Sequence, residues 1–184
     1  MIPLGILASS YYNDGGAEPS INLFNLGACE TTAGWTIALS TLAIDSDNEL
    51  DGTNCLKVTL GAGRTNASPL VDVLGILNTS KYYLFSGSVK NGNLATGISL
   101  RATCVGDKGN ILATPNATTD YIRQGVLLQP SDFDGASAVQ IMARVDGTET
   151  QYAYFDSFMV NEITADDYAS GVVACLVKYP YVDP

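Results

Sequence analysis

The chain is 184 residues long, 46% hydrophobic and only 15% charged, which suits one cored domain with appendages and excludes a disordered chain. Nineteen acids against nine bases leave a net charge of −10 with no basic cluster, so nucleic-acid binding is excluded and docking on anionic lipid is disfavoured. Histidine is absent, which removes Ser-His-Asp and Cys-His catalysis and the commonest zinc ligand.

The chain opens MIPLGILASSYY, an apolar run followed by the polar stretch NDGGAEPS (13–20). The run is too short to cross a bilayer, and no Lys or Arg precedes Lys57, so neither a membrane anchor nor a secretory leader is expected. Two readings remain for residues 1–20. They form a docking arm that adds to a partner's sheet edge through Leu4, Ile6 and Leu7, or they are a first strand of the chain's own sandwich.

From residue 36 onward, short runs rich in Val, Ile, Thr, Tyr and Leu alternate with clusters of Gly, Asn, Asp and Pro. These predict strands over 36–44, 55–62, 82–90, 97–105, 121–129, 138–145 and 151–163. In AVQIMARV, Val139, Ile141, Ala143 and Val145 share one face, opposite Gln140, Met142 and Arg144. The same period of two sets Tyr83, Phe85 and Val89 against Tyr82, Leu84, Ser86 and Ser88. Turn residues separate the runs at DGTN (51–54), KNGN (90–93), GDKGN (106–110), PNATTD (115–120) and DGTET (146–150). With no helical pattern between the strands, an antiparallel sandwich is expected rather than an α/β fold.

One helix is expected, after residue 163. Thr164 is placed to cap it with Asp167 three residues on, and Asp166, Asp167 and Lys178 complement its dipole. Tyr168, Val172, Cys175, Leu176 and Tyr179 form its apolar stripe, Gly171 weakens it by about 1 kcal/mol, and Pro180 ends it. Such a helix outside a sandwich needs a surface to pack on, and Tyr168, Val172 and Leu176 are its docking candidates.

Several motifs carry no chemistry. Cys29, Cys55, Cys104 and Cys175 lack metal-ligand spacing and read as small buried hydrophobes of a reducing compartment, although four cysteines would permit three pairings. Asp47, Glu49, Asp51 and Gly52 mimic the start of a calcium loop, but position twelve is Val58 where a bidentate Glu is required. The glycosylation triplets at Asn66, Asn78 and Asn116 are expected to go unused. Nineteen acids offer no way to select a glycosidase pair, and a single sandwich without a cleft-forming insertion is expected to be non-enzymatic.

The stretch from Asn22 to Gly63 resembles the opening of jelly-roll carbohydrate-binding modules. The matching features are Asn22 and Asn25, Glu30, the Gly34-Trp35 pair, and Gly52 with Leu56-Lys57-Val58. KYYLFSGSVKNGN (81–93) is similar to the next strand of those modules, and YAYFDSFMVNEI (152–163) to their closing strand. The resemblance implies a jelly roll over residues 21–163 with Trp35 packed near its start. It also implies a structural calcium, the one cofactor expected, with Glu30 and Asp156 at the matching positions. Such modules present aromatic rings to sugars, and the available tyrosines are Tyr82, Tyr121, Tyr152 and Tyr154.

The arrangement of an N-terminal arm, a module and the tail TADDYASGVVACLVKYPYVDP resembles virion structural proteins of tailed bacteriophages. Strand pattern and resemblances together give the expected fold, an all-β chain: an antiparallel jelly-roll β-sandwich with an extended N-terminal arm (1–20) and a short C-terminal helix and tail (164–184). Its expected role is capsid decoration, head fibre or tail accessory, made in the host cytoplasm without a signal peptide. Its expected partners are other virion proteins, further copies of itself and host-surface polysaccharide, with no nucleic acid and no membrane insertion. The alternative is a free-standing carbohydrate-binding module, which would not need residues 1–20.

Overall fold

The structure is a computed structural model and describes residues 21–93, 97–106, 109–113 and 118–184. The arm residues Leu4, Ile6 and Leu7 lie outside them. Two antiparallel sheets face each other. The first runs, in spatial order, β1 (Thr41–Asp45), β2 (Cys55–Thr59), β10 (Tyr152–Ile163), β5 (Tyr82–Asn91) and β8 (Ile122–Leu128). The second runs β3 (Asn66–Ala67), β9 (Ala138–Asp146), β6 (Gly97–Val105) and β7 (Gly109–Leu112), with β4 (Leu70–Asp72) also paired to β9.

The alternation read from the sequence is the alternation of the core. Val139, Ile141, Ala143 and Val145 of β9 are fully buried against Tyr83, Phe85 and Val89 of β5 and their neighbours, in one cluster that fills the space between the sheets. Each expected strand exists, with one late start. The run 36–44 becomes strand only at Thr41, because Leu39 has φ +58°, a left-handed conformation that cannot continue a strand. Before it, Thr36 makes a single bridge to Leu70.

β10 carries a bulge between Asp156 and Met159, where Ser157 has φ +53°. The extra residue lets both Phe155 and Phe158 face the core, stacked with ring centroids 6.3 Å apart. Trp35 packs beside Phe158 at 5.1 Å and Phe24 at 6.0 Å, as expected for the tryptophan at the module's start. Asn22 fixes this corner. Its Oδ1 accepts from Phe24 N (3.0 Å) and Val160 N (3.1 Å), and its Nδ2 donates to Phe158 O at 3.1 Å.

The C-terminal helix differs from expectation in one respect. Thr164 and Asp167 do form the reciprocal cap, but the helix breaks into α1 (Ala165–Ser170) and α2 (Val172–Lys178) at Gly171, whose φ of +89° is open to glycine alone at low cost. Tyr168, Val172, Leu176 and Tyr179 are laid on the chain's own first sheet, against Leu84, Ile163 and Leu127. Gly125 of β8 makes room for α2, since a Cβ there would meet Leu176 and Val172 at 3.1 Å. All four cysteines are buried, and none is in a disulfide. No helix among the described residues is long and apolar enough to cross a membrane.

Candidate functional site

The outward face of the first sheet is where its chemistry collects. Register places Tyr154 beside Lys57 and Lys90, Asp156 beside Ser88, and Ser88 beside Arg123. Paired residues share a face, and Tyr121, two positions before Arg123, lies on the same one. One end of this face is covered by α1 and α2, where Tyr82 packs against Tyr168 at 5.2 Å. The other end carries Tyr121, Tyr152 and Tyr154 under two lysines. Lys57 lies 4.3 Å from the centre of the Tyr152 ring, and Lys90 lies 5.5 Å from Tyr121 and 5.7 Å from Tyr154. Of the four candidate tyrosines, three therefore come together and Tyr82 stands apart under the helices.

Between the two ends the face opens into a cleft of about 400 Å³. Ser88 and Arg123 make its floor, with Tyr121 and the bulge residue Ser157 beside them. Leu50 and Asp51 form one wall, and Tyr181, from the tail beyond α2, forms another. The tail returns because Asn22 Nδ2 also donates to Val182 O at 3.2 Å.

The wall 48–54 is held from beneath by the two carboxylates expected at a calcium. Asp156 Oδ2 accepts from Leu50 N (2.8 Å) and Asp51 N (3.1 Å), while its Oδ1 accepts from Ser157 N (2.7 Å). Glu30 Oε1 accepts from Thr53 N (2.7 Å), and its Oε2 from Thr53 Oγ1 and Asn54 Nδ2, both at 2.6 Å. Tyr121 OH donates to Asn48 O at 2.7 Å and Lys90 Nζ to Asn48 Oδ1 at 3.0 Å. Glu30 and Asp156 thus brace the same loop, but their oxygens are already taken by N–H and O–H donors. Among the described residues no group of three or more acidic or cysteine side chains could hold a metal. This donor set does not fit a calcium ion.

The electrostatics follow from the same contacts. Burial pushes the Asp156 carboxyl up to about 6, against the opposing pull of its three N–H donors. The bonds from Thr53, then Asn54, hold Glu30 below the usual carboxylate range. Burial alone lowers Arg123 to about 10. Asp51 is the single carboxylate among the described lining residues, whereas glycoside hydrolysis requires a facing pair.

Sequence reasoning missed Arg123, Ser88, Ser157 and Tyr181. Arg123 carries one legible signal, a cation two residues from Tyr121 on a common face. Tyr181 carries none, because its place depends on a contact with Asn22.

No protein-family model matches the chain, and no curated protein matches its sequence. Its fold does have counterparts. The chain is similar to the CBM22-1 xylan-binding domain of Paenibacillus barcinonensis Xyn10C, with a TM-score of 0.64 at 14% identity, over 81% of this chain and 99% of that one. It is also similar to TmCBM61 in complex with β-1,4-galactotriose, with a TM-score of 0.53 at 13% identity, over 78% of this chain and 100% of the other. A third likeness is to the enzymatically active domain of bacteriophage CBA120 tailspike protein 4, at TM-score 0.58 and 15% identity. There the match covers 78% of this chain but 22% of that chain. The chain has the jelly-roll fold of carbohydrate-binding modules, and at these identities the likeness is one of fold.

Proposed function

We propose that this protein is a non-catalytic glycan-binding module whose binding surface is the cleft on the outward face of the first sheet. One observation carries the reading. A jelly roll that spans nearly the whole length of a xylan-binding domain bears, on a sheet face, an open cleft flanked by Tyr121 and Tyr181 with hydroxyls and one guanidinium at its base. Sugar rings need this mixture: an aromatic surface for their C–H faces and a few fixed polar groups for their hydroxyls. Affinity electrophoresis of the full-length protein in gels containing soluble polysaccharides tests it. Retardation by at least one polysaccharide, reduced by Tyr121→Ala, is expected. Unchanged mobility in every gel would refute the reading.

A second reading is favoured by the tailspike likeness, in which a similar fold makes up about a fifth of the solved tailspike domain. In it the module is a non-enzymatic virion accessory, anchored through residues 1–20 to capsid or tail proteins or to further copies of itself, and presents its cleft to host-surface polysaccharide. The two readings share the cleft and differ in what the arm does.

A further inference from the structure

Arg123 is the one cation among the described residues that line the cleft, and its bonding is incomplete. A guanidinium carries five N–H donors. Here Nη1 donates to Leu176 O at 3.1 Å and Nη2 to Ser86 Oγ at 2.8 Å, while Nε is buried with no partner. Both acceptors are neutral. No acid among the described residues pairs with Arg123, and burial is the sole influence on its proton affinity. In a chain with nineteen acids and nine bases, an arginine without a carboxylate is not explained by scarcity. Lys57, Arg144 and Lys178 each have one.

A half-buried guanidinium with spare donors, set in an open cleft, is suited to a planar anion bound through two parallel hydrogen bonds. The groups around it restrict the anion further. Ser88 pairs directly with Arg123 across the sheet, and Ser157 and Asp51 offer a hydroxyl and a carboxylate to a ligand that also carries hydroxyl groups. The rings of Tyr121 and Tyr181 offer apolar surface. A bare inorganic anion would leave those rings and Asp51 without a role.

We propose that the cleft binds a carboxylated sugar, with the uronate group on Arg123, its hydroxyls on Ser88, Ser157 and Asp51, and its ring against Tyr121 and Tyr181. The inference rests on the glycan-binding reading and narrows its ligand to acidic polysaccharide. The protein's own charge of −10 opposes such a ligand at long range. Affinity for it therefore rises with moderate salt, the opposite of binding by a basic patch.

The test is isothermal titration of the full-length protein with tetramers of galacturonate, mannuronate and glucuronate, each beside its carboxyl-reduced neutral counterpart. At least one acidic tetramer is expected to bind about tenfold or more tightly than its neutral counterpart, as a charge-assisted pair requires. Arg123→Gln is expected to abolish that difference and Arg123→Lys to restore part of it, with thermal midpoints confirming that each variant is folded. Tyr181→Ala, its fold checked by the same thermal midpoint, is expected to weaken binding severalfold. Equal affinity for acidic and neutral tetramers would overturn the proposal and leave the glycan-binding reading standing. So would binding of neutral polysaccharide alone, or Arg123→Gln and Tyr181→Ala variants that bind as the parent does. Failure of every acidic and neutral glycan would overturn both.

Discussion

Asn22 and Val182 stand 160 positions apart and are joined by one hydrogen bond, Nδ2 to the backbone oxygen at 3.2 Å. The same amide donates to Phe158 O, and its oxygen accepts from Phe24 N and Val160 N. Asn22 is 5% exposed, so these groups have no water to turn to. A single side chain thereby ties the start of the module to the bulged strand and places the tail that walls the cleft.

Replacing Asn22 with alanine is expected to destabilise the protein by about 2–4 kcal/mol, because several buried polar groups lose their partner at once. Urea unfolding measures that loss. Chymotrypsin cleavage after Tyr181 in the native protein should also accelerate, more than cleavage within the sheets. A variant cleaved after Tyr181 no faster than the parent would show that the tail does not depend on this amide.

Much of the fold is legible in the residues because a period of two reports burial directly. Val139, Ile141, Ala143 and Val145 could be placed without knowing their neighbours. β3, β4 and β7, two to four residues each, are too short to show any period. The break at Gly171 looked like a weakened helix, since propensity scales the cost of glycine without foreseeing a φ of +89°. The cleft was less legible than the fold. Alternation puts Tyr152 and Tyr154 on one face, but bringing Arg123 beside Ser88 requires the register between β5 and β8. Glu30 and Asp156, expected from the sequence at a calcium, both accept from the loop that walls the cleft. The donors that occupy their oxygens are mostly backbone N–H groups, which residue types do not announce.

Asp156 gives the protein a pH dependence of unusual sign. The folded chain holds its proton up to about pH 6, whereas an ordinary aspartate releases it near 3.8. Folding therefore takes up a proton between these values, and stability falls as pH rises through them, by on the order of 2 kcal/mol. Between pH 4 and pH 6 the urea midpoint of the parent should fall relative to that of Asp156→Asn, a difference that cancels the opposite contribution of Glu30. A parent whose midpoint rises relative to the variant across this window would contradict the assignment.

Asp167 acts in the opposite sense. Burial works to raise it, but donors from Lys178 Nζ (2.7 Å), Tyr179 OH (2.5 Å) and Thr164 Oγ1 (2.8 Å) outweigh burial and hold it at about 2. Its contribution is complete above the unfolded value near 3.8 and is lost as pH falls toward 2. It amounts to about 1–2 kcal/mol, less than full linkage because Lys178 is half in water. Asp167→Asn should weaken the protein at pH 7 and match the parent near pH 2. The loss should appear first as detachment of α1 and α2, seen as exposure of Cys175 to a thiol reagent, since that cysteine lies on the buried side of α2 against the sheet.

The arm separates the two functional readings. Because the stripe of α1 and α2 is covered by the chain's own sheet, the apolar surface these helices leave in water is Val173 and Val177, 74% and 70% exposed. Two valines on a seven-residue helix are too small a patch to hold a stable assembly alone. In the virion reading, residues 1–20 then supply most of the contact. A virion accessory therefore predicts a defined oligomer by light scattering that falls to monomer when residues 1–20 are removed, and that Val173→Lys with Val177→Lys leaves largely intact. A free-standing module predicts monomers throughout and unchanged affinity for glycan after truncation. An oligomer that survives truncation would point instead to an edge of the sandwich, with β1 the first to examine because its outer side has no paired strand among the described residues.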